Sequence, residues 1–431
     1  MMRLIYLLRA YCKTRYMHFR NRDQLLNHQR KQLRRYRKRL LTSSPYFAQF
    51  RELPMEQWPL MDKSIMLAHF DTMNSAGLRL QQVMDLALTC EQSRDFNPQI
   101  GKVTVGLSSG TSAQRGVFVV DAKERARWAG IMLAKALPDG LFAGERVALF
   151  LRANSNLYTS VRNRWLTFDF FDLFQPFEDN ARKLAAFRAS IIVAPAQVLR
   201  ALALAKLNGE VALQPKRVIS VAEVLEAQDR KLIEQAFGTV HEIYQATEGF
   251  LASTCEQGVL HLNEEYVHVE PEWLDKAQRR FVPIITDFSR YTQPIVRYRL
   301  NDVLIAKSEP CKCGRVTLAL DGIEGRCDDL LLLPGMAGQP VAIFSDLLSR
   351  ALAQCLPANA DYRLIQESAD SLQLQAAIRG PEWQKVKAHL EQVLARLGVC
   401  IDALHWIWAD SAPDFNPTVK RRRIIRKAGV A

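Results

Sequence analysis

Residues 190–222 read SIIVAPAQVLRALALAKLNGEVALQPKRVISVA. Two short apolar runs, SIIVAPA and KRVISVA, have the length and β-branched content of buried strands that end in loops. Between them lies VLRALALAKL, an Ala- and Leu-rich helix-like stretch. A strand, a helix and a second strand in that order predict a parallel pair. The pattern continues outward. VTVGLSS, RVALFLR and TVHEIYQ read as further strands, and ARKLAAFRA as another helix, between about Ile100 and Cys327. The expectation is an α/β layered domain with parallel pairing. Ligands of such sheets gather at the carboxyl ends of the strands, and the polar loops considered below follow strands of this kind.

Beyond Cys327 the order changes. DLLLLP and VAIFSDLLSRALAQCL suggest a strand and a helix. YRLIQES and SLQLQAAI suggest two strands turning at Ala369–Asp370, WQKVKAHLEQVLARL an amphipathic helix, and ALHWIWAD a last strand. That β-α-β-β-α-β order predicts a small ferredoxin-like α+β domain. A chain of 431 residues accommodates this division. It gives an N-terminal helical segment at 1–99, a nucleotide- and acyl-binding core at 100–327 and a mobile C-terminal domain at 328–431.

The formal charge of +13 is concentrated at the ends. Met1–Leu40 carries thirteen Lys/Arg against the single acid Asp23, and the segment from Asn416 carries six Lys/Arg and no acid. The body is therefore mildly acidic, which argues against a nucleic-acid-binding surface over the whole protein. In QLLNHQRKQLRRYRKRLL (24–41), Leu25, Leu26, Leu33, Tyr36 and Leu40 fall at roughly helical spacing. They suit a surface helix packed inward by its apolar side with arginines outward. The same helix suits peripheral contact with an anionic membrane or RNA. The apolar run of MMRLIYLLRAYCKTRY is broken by Arg9, too short for a signal or a membrane span. The expectation is a cytoplasmic protein with reduced thiols, in which clustered cysteines are metal ligands rather than disulfides.

Leu107-Ser108-Ser109-Gly110-Thr111-Ser112-Ala113-Gln114-Arg115-Gly116 follows the strand Val103–Gly106. Its hydroxyls and backbone N–H groups can cradle phosphate, although no Gly-Lys-Ser/Thr closes it as in a Walker loop. The stretch resembles the Ser-Ser-Gly-Thr-Thr/Ser-Gly loop of adenylate-forming enzymes: acyl-CoA synthetases, adenylation domains and luciferases. Three more segments match in the family's order. Tyr244-Gln245-Ala246-Thr247-Glu248-Gly249 resembles Tyr-Gly-x-Thr-Glu. Tyr298-Arg299-Leu300-Asn301-Asp302 resembles Tyr-Arg-Thr-Gly-Asp, and Gly325-Arg326-Cys327-Asp328-Asp329 resembles Gly-Arg-x-Asp-Asp. Cys311-Lys312-Cys313-Gly314-Arg315, between the last two, resembles the phenylacetate–coenzyme A ligase branch.

The resemblance implies ATP- and magnesium-dependent activation of a small carboxylic acid as its acyl-AMP. Ser108, Ser109, Gly110, Thr111 and Ser112 would hold the β- and γ-phosphates. Tyr244 belongs to the nucleotide site, Thr247 would contact the α-phosphate and Glu248 would bind magnesium. Asp302 would accept hydrogen bonds from the ribose hydroxyls, with Arg326 near ribose and phosphate. Asp328 falls at the family's hinge. The adenylation lysine matches Lys420, in PTVKRRRI, with Lys427 as the alternative. The departures are Ala113 and the missing lysine in the loop, Gln245 for glycine, and Leu300-Asn301 for Thr-Gly.

Cys255, His261, Cys311 and Cys313 can close a structural Cys₃His zinc site between two loops, or stand as four separate side chains. Trp165, Phe168, Phe170, Phe171 and Phe174 could line an acyl pocket or, as such runs more often do, fill core. Ser220–Glu223 follows a strand where relatives form adenine contacts. Relatives pass the acyl group most often to coenzyme A, otherwise to a carrier-protein thiol or an amine. Outside enzymes, the alternative is a basic zinc protein that binds membrane or nucleic acid.

Overall fold

The computed structural model describes residues 2–93, 98–107, 115–151, 165–326, 330–357, 359–418 and 420–427. Its centre is a twelve-stranded mixed sheet. One half is parallel, in the order Leu166–Asp172, Glu145–Leu151, Ile191–Ala194, Arg217–Ser220, Val240–Gln245. The helix Ala196–Leu207 crosses between Ile191–Ala194 and Arg217–Ser220, and Ala227–Phe237 between the latter and Val240–Gln245. The 190–222 unit is thus the expected parallel crossover.

Both faces of this half are covered, which is why Ile191–Ala194 and most of Glu145–Leu151 are runs of apolar residues. On one face Leu199, Leu202 and Ile233 pack against Phe150, Ile192 and Val218. On the other, Leu7, Tyr11 and Leu133 of two helices packed on each other, Met2–Tyr16 and Ala122–Ala136, meet Val147, Leu149 and Ile219. A fully buried leucine contributes roughly 1.5–3 kcal/mol, so these layers carry much of the stability. Gly130 sets how closely the two helices approach: a Cβ there would lie 2.3 Å from the Leu7 carbonyl oxygen. Asp121 begins the helix Ala122–Ala136 with a capping box completed by Glu124.

The other half of the sheet is antiparallel, running Phe250–Thr254, Leu260–Leu262, Ala319–Arg326, Asp302–Ala306, Arg280–Asp287, Val267–Trp273, with Ile295–Arg299 paired to Arg280–Asp287. Most of its connections are of seven residues or fewer, too short for crossover helices.

One strand departs from expectation. Val103–Leu107 is not part of the parallel sheet but pairs antiparallel with Val117–Asp121. The chain between them, 108–116, is shorter than the dozen or so residues that a parallel crossover needs. The described strands on either side of the candidate phosphate loop are therefore antiparallel neighbours.

The N-terminal region is largely helical. In Arg22–Ser43, capped by the Asn21 side chain, Leu25, Tyr36 and Leu40 are buried, Leu26 and Leu33 are half-buried, and Arg30, Lys31, Arg34 and Arg35 are exposed. The inward-packing reading of this helix holds. Among the described residues no helix is long and apolar enough to cross a membrane.

After the central sheet comes a small α+β unit with its own core around Leu364, Leu374, Trp383, Leu390 and Leu394. Its four-stranded mixed sheet has the order His405–Ala409, Ser371–Ala376, Tyr362–Gln366, Ile424–Arg426. The expected turn, helices and last strand are present. Leu331–Leu333, however, pairs with Val341–Ile343 in a separate hairpin. The tail strand Ile424–Arg426 instead completes the sheet, parallel to Tyr362–Gln366.

Candidate functional site

The strand Val240–Gln245 ends the parallel half, and the chain turns back at once through 246–249 into Phe250–Thr254. Ala246 N–H donates to Gly249 O at 3.0 Å, and Gly249 N–H to Ala246 O at 3.3 Å. A Cβ on Gly249 would lie 2.7 Å from Asp287 Oδ2, so any side chain there would have to displace the Asp287 carboxylate. The turn presents Thr247 and Glu248 at the carboxyl edge of the parallel strands.

Around it, residues distant in sequence converge. The Tyr244 hydroxyl donates to Asp302 Oδ2 at 2.5 Å. The Tyr298 hydroxyl donates to the Glu248 carboxylate, and Asp302 is close enough to act on Glu248 electrostatically. Arg290 Nη1 donates to Thr247 O at 3.2 Å. Burial raises the Glu248 carboxyl above the ordinary glutamate value, opposed by Tyr298 and Arg290. Beneath the turn, Asp287 is pushed up to about 6 by burial, opposed by its hydrogen bonds from Ser289. Two adjacent acids, one partly desolvated, form a site that a hard divalent cation and ribose hydroxyls would both satisfy.

Ser108, Ser109, Gly110, Thr111 and Ser112 lie outside the described residues, but the strands on either side of them are fixed. Gln293 Nε2 donates to Val117 O at 3.1 Å and its Oε1 accepts from Val119 N–H at 2.9 Å. The Asp121 N–H donates to Thr292 Oγ1 at 3.2 Å. This strand pair is thus stapled to the segment that carries Arg290. Arg326 is the strand partner of Asp302; its side chain, and Asp328, lie outside the described residues.

The next two strands along the same edge lead to the C-terminal tail. Ser220–Glu223 follows Arg217–Ser220, with Ala222 in the left-handed region at φ 66°. Glu223 accepts from Gln197 Nε2 at 2.7 Å and from Arg421 N–H at 3.3 Å. Lys420 lines a cavity of about 60 Å³ with Gln197, Asp361, Phe415 and Asn416. Neighbouring strands lie about 4.8 Å apart, which puts the loops of Gln197, Glu223 and Glu248 in one row along the edge. Lys427 is elsewhere, paired with Glu367.

The aromatic run does not reach this row. Phe168, Phe170 and Phe171 belong to Leu166–Asp172, the outermost strand at the far end of the parallel half. Phe171 is fully buried and stacks on Phe150 at 4.7 Å. Trp165 and Phe174 are 41% and 53% exposed. Strand order makes Phe171 core rather than cleft lining.

A second cluster lies on the antiparallel half. The donor atoms of Cys255, His261, Cys311 and Cys313 all fall within 4.8 Å of one another. Cys255 Sγ and Cys311 Sγ are 3.8 Å apart, close to the roughly 3.8 Å separating two thiolates each about 2.3 Å from a tetrahedral zinc. His261 Nδ1 faces the Thr317 carbonyl at 3.1 Å, a contact that places its proton there. Nε2 then turns a lone pair toward Cys313 Sγ at 3.4 Å. Burial pushes the Cys313 thiol up to about 12, a cost that a bound cation would remove. The donor set fits a structural zinc, with every vertex taken by protein.

Sequence reasoning named Tyr244, Thr247, Glu248 and Asp302, which the fold brings together. It missed Tyr298 as a partner of Glu248, although Tyr298 opens a quoted segment. It also missed Arg290 and Gln293, which no spacing rule marks.

No family model matches the chain. A stretch of 129 residues is 25% identical to phenylacetate–coenzyme A ligase of Thermus thermophilus, spanning 28% of this chain and 28% of that enzyme. Among solved structures, 2-hydroxyisobutyryl-CoA ligase in the postadenylation state superposes with a TM-score of 0.64 at 17% identity, over 94% of this chain and 89% of that one. The amide bond synthetase McbA of Marinactinospora thermotolerans superposes at 0.50 and 13% identity, over 73% and 67%. The fold is that of the adenylate-forming enzymes. Over those 129 residues the sequence resemblance is to phenylacetate–coenzyme A ligase.

Proposed function

We propose that the protein is a ligase that activates a carboxylic acid with ATP and passes the acyl group to the thiol of coenzyme A. The observation that carries this reading is the convergence of Tyr244, Thr247, Glu248 and Asp302 at one strand edge. A carboxylate oxygen attacks the α-phosphorus of ATP, and the bond to the bridging oxygen breaks as pyrophosphate leaves. Glu248 would hold magnesium, which neutralises phosphate charge when bound. Thr247 meets the α-phosphate, Asp302 accepts from the ribose hydroxyls, and the Tyr244 hydroxyl fixes the Asp302 carboxylate. Ser108–Ser112 cradle the outer phosphates, with Arg326 near the ribose. Lys420, on the same strand edge, is the adenylation lysine; Lys427, paired with Glu367, is poorly placed for it. Most of the rate enhancement in such a reaction is positioning and charge neutralisation.

Domain 328–431 would turn about Asp328 between the two half-reactions. Zinc on Cys255, His261, Cys311 and Cys313 would tie two loops together. Coenzyme A is favoured as acceptor because the similar proteins include two coenzyme A ligases. A carrier-protein thiol or an amine would use the same adenylate. Arg30, Lys31, Arg34 and Arg35 form the exposed face that would meet an acidic carrier, coenzyme A phosphates or an anionic membrane.

The test is acid-dependent exchange of labelled pyrophosphate into ATP across aromatic, fatty, hydroxy and amino acids. At least one acid should support exchange, and Glu248→Gln should lower it by about 100-fold or more. Absence of exchange with every acid, in folded and zinc-replete protein, would overturn the reading.

A further inference from the structure

A buried six-residue charge network joins the C-terminal unit to the central sheet. Arg423 is 3% exposed overall, yet it faces three carboxylates. Its Nη1 lies 2.7 Å from Glu226 Oε2, its Nη2 2.7 Å from Asp229 Oδ1 and its Nε 3.4 Å from Asp361 Oδ1. Its guanidinium also stacks over Tyr362 at 4.9 Å, and the Tyr362 hydroxyl donates to Glu226 at 3.1 Å. Arg421 pairs with Asp361 and with Asp229 Oδ2 at 3.5 Å. Arg200 Nε lies 3.1 Å from Asp229. Three arginines thus balance three acids. Arg200, Glu226 and Asp229 come from the α/β core, while Asp361, Arg421 and Arg423 come from the small unit. Hydrogen bonds to backbone carbonyls complete the seat: Gln228 Nε2 donates to Pro357 O at 2.8 Å and Ala360 O at 2.9 Å, and Arg200 Nη2 donates to Asn359 O at 2.5 Å.

The place of this network in the chain is as informative as its chemistry. Arg421 and Arg423 lie between Lys420 and the strand Ile424–Arg426 that completes the small sheet. The Arg421 backbone N–H donates to Glu223 at the carboxyl edge of the parallel strands. Whatever seats Arg423 therefore also sets where Lys420 stands.

We propose that Arg423, with Asp229 as its socket, is a positioning latch that seats the C-terminal tail on the helix Ala227–Phe237, holds Lys420 at the nucleotide edge for adenylation, and must release before the small unit turns for acyl transfer. This rests on the functional reading above for its catalytic consequence, but not for the seat itself. An ionic network suits a latch better than apolar packing. Once parted, each charged partner regains water, so the released state does not expose a large sticky surface.

The experiment compares the full chain with Asp229→Asn, which keeps shape and alters only the core side, and with Arg423→Lys, which keeps charge but cannot span three carboxylates. Removing one partner of a buried pair should shift the seated-to-released ratio by on the order of 100-fold. In both variants, small-angle scattering should show an expanded particle and trypsin should cut faster near the boundary at 327–329. Pyrophosphate exchange at saturating ATP should fall by about 10-fold or more, while binding of fluorescent ATP changes by less than about threefold. Lys420→Ala is the control: exchange is lost with scattering unchanged. If both latch variants scatter and digest like the wild type, or if exchange and ATP binding fall together, the latch is refuted. A wild type without exchange sinks the ligase reading, and the scattering comparison still decides whether the seat exists.

Discussion

Asp287→Asn should stabilise the protein near neutral pH and do little in acid. Asp287 is 3% exposed and lies against the Gly249 turn, accepting from the Ser289 N–H at 2.8 Å and the Ser289 hydroxyl at 2.6 Å. Among the described residues it has no salt bridge, and burial moves its carboxyl from 3.8 to about 6. The folded protein therefore keeps this proton at pH values where the unfolded chain has lost it. Stability falls as pH rises through that window and is level above it. A gap of about two units is worth roughly 3 kcal/mol above the window, and about half that near pH 5. Asparagine preserves the shape and one acceptor for Ser289, so the substitution should recover most of this penalty. In a chain this long, roughly 3 kcal/mol corresponds to a rise in melting temperature of about 3 °C. Calorimetry of both proteins at about pH 4, 5 and 7.5 reads the difference, which should grow with pH and then level off. A variant that melts below the wild type at the highest pH, or a difference independent of pH, would refute the assignment of a buried charge beneath the Glu248 turn.

Cys311→Ser should remove about one equivalent of zinc from protein grown with the metal, measured by mass spectrometry, and should lower the melting temperature to that of chelator-treated wild type. Equal metal content in variant and wild type would count against the site. Phe171→Ala, in a ring stack that excludes solvent, should cost about 3–5 kcal/mol in denaturant unfolding. Phe174→Ala, half-exposed at the end of the same strand, should cost about 0.5 kcal/mol or less, and neither should change which acids support exchange. Tyr244→Phe deletes the donor to Asp302 and should raise the ATP requirement by about 10-fold with a small effect on melting; an unchanged requirement would separate Asp302 from nucleotide binding.

Much of this protein could be read along the chain because its signals are local. The 190–222 crossover declared itself through apolar runs and a helix of the right length, since a parallel pair must be linked that way. Tyr244, Thr247, Glu248 and Asp302 stood out because their segments resemble, in order, those of adenylate-forming enzymes. The cysteines and His261 had donor chemistry visible in their names alone. Tertiary structure decided what depends on pairing at a distance. Strand order sent Phe171 into the core at the far edge. Loop length made antiparallel neighbours of the strands around Ser108. The tail, not Leu331–Leu333, closed the small sheet. Tyr298 at Glu248 and Arg423 in its socket became legible only in three dimensions, because sequence spacing encodes which residues share a face of one element and carries no measure of which elements will meet.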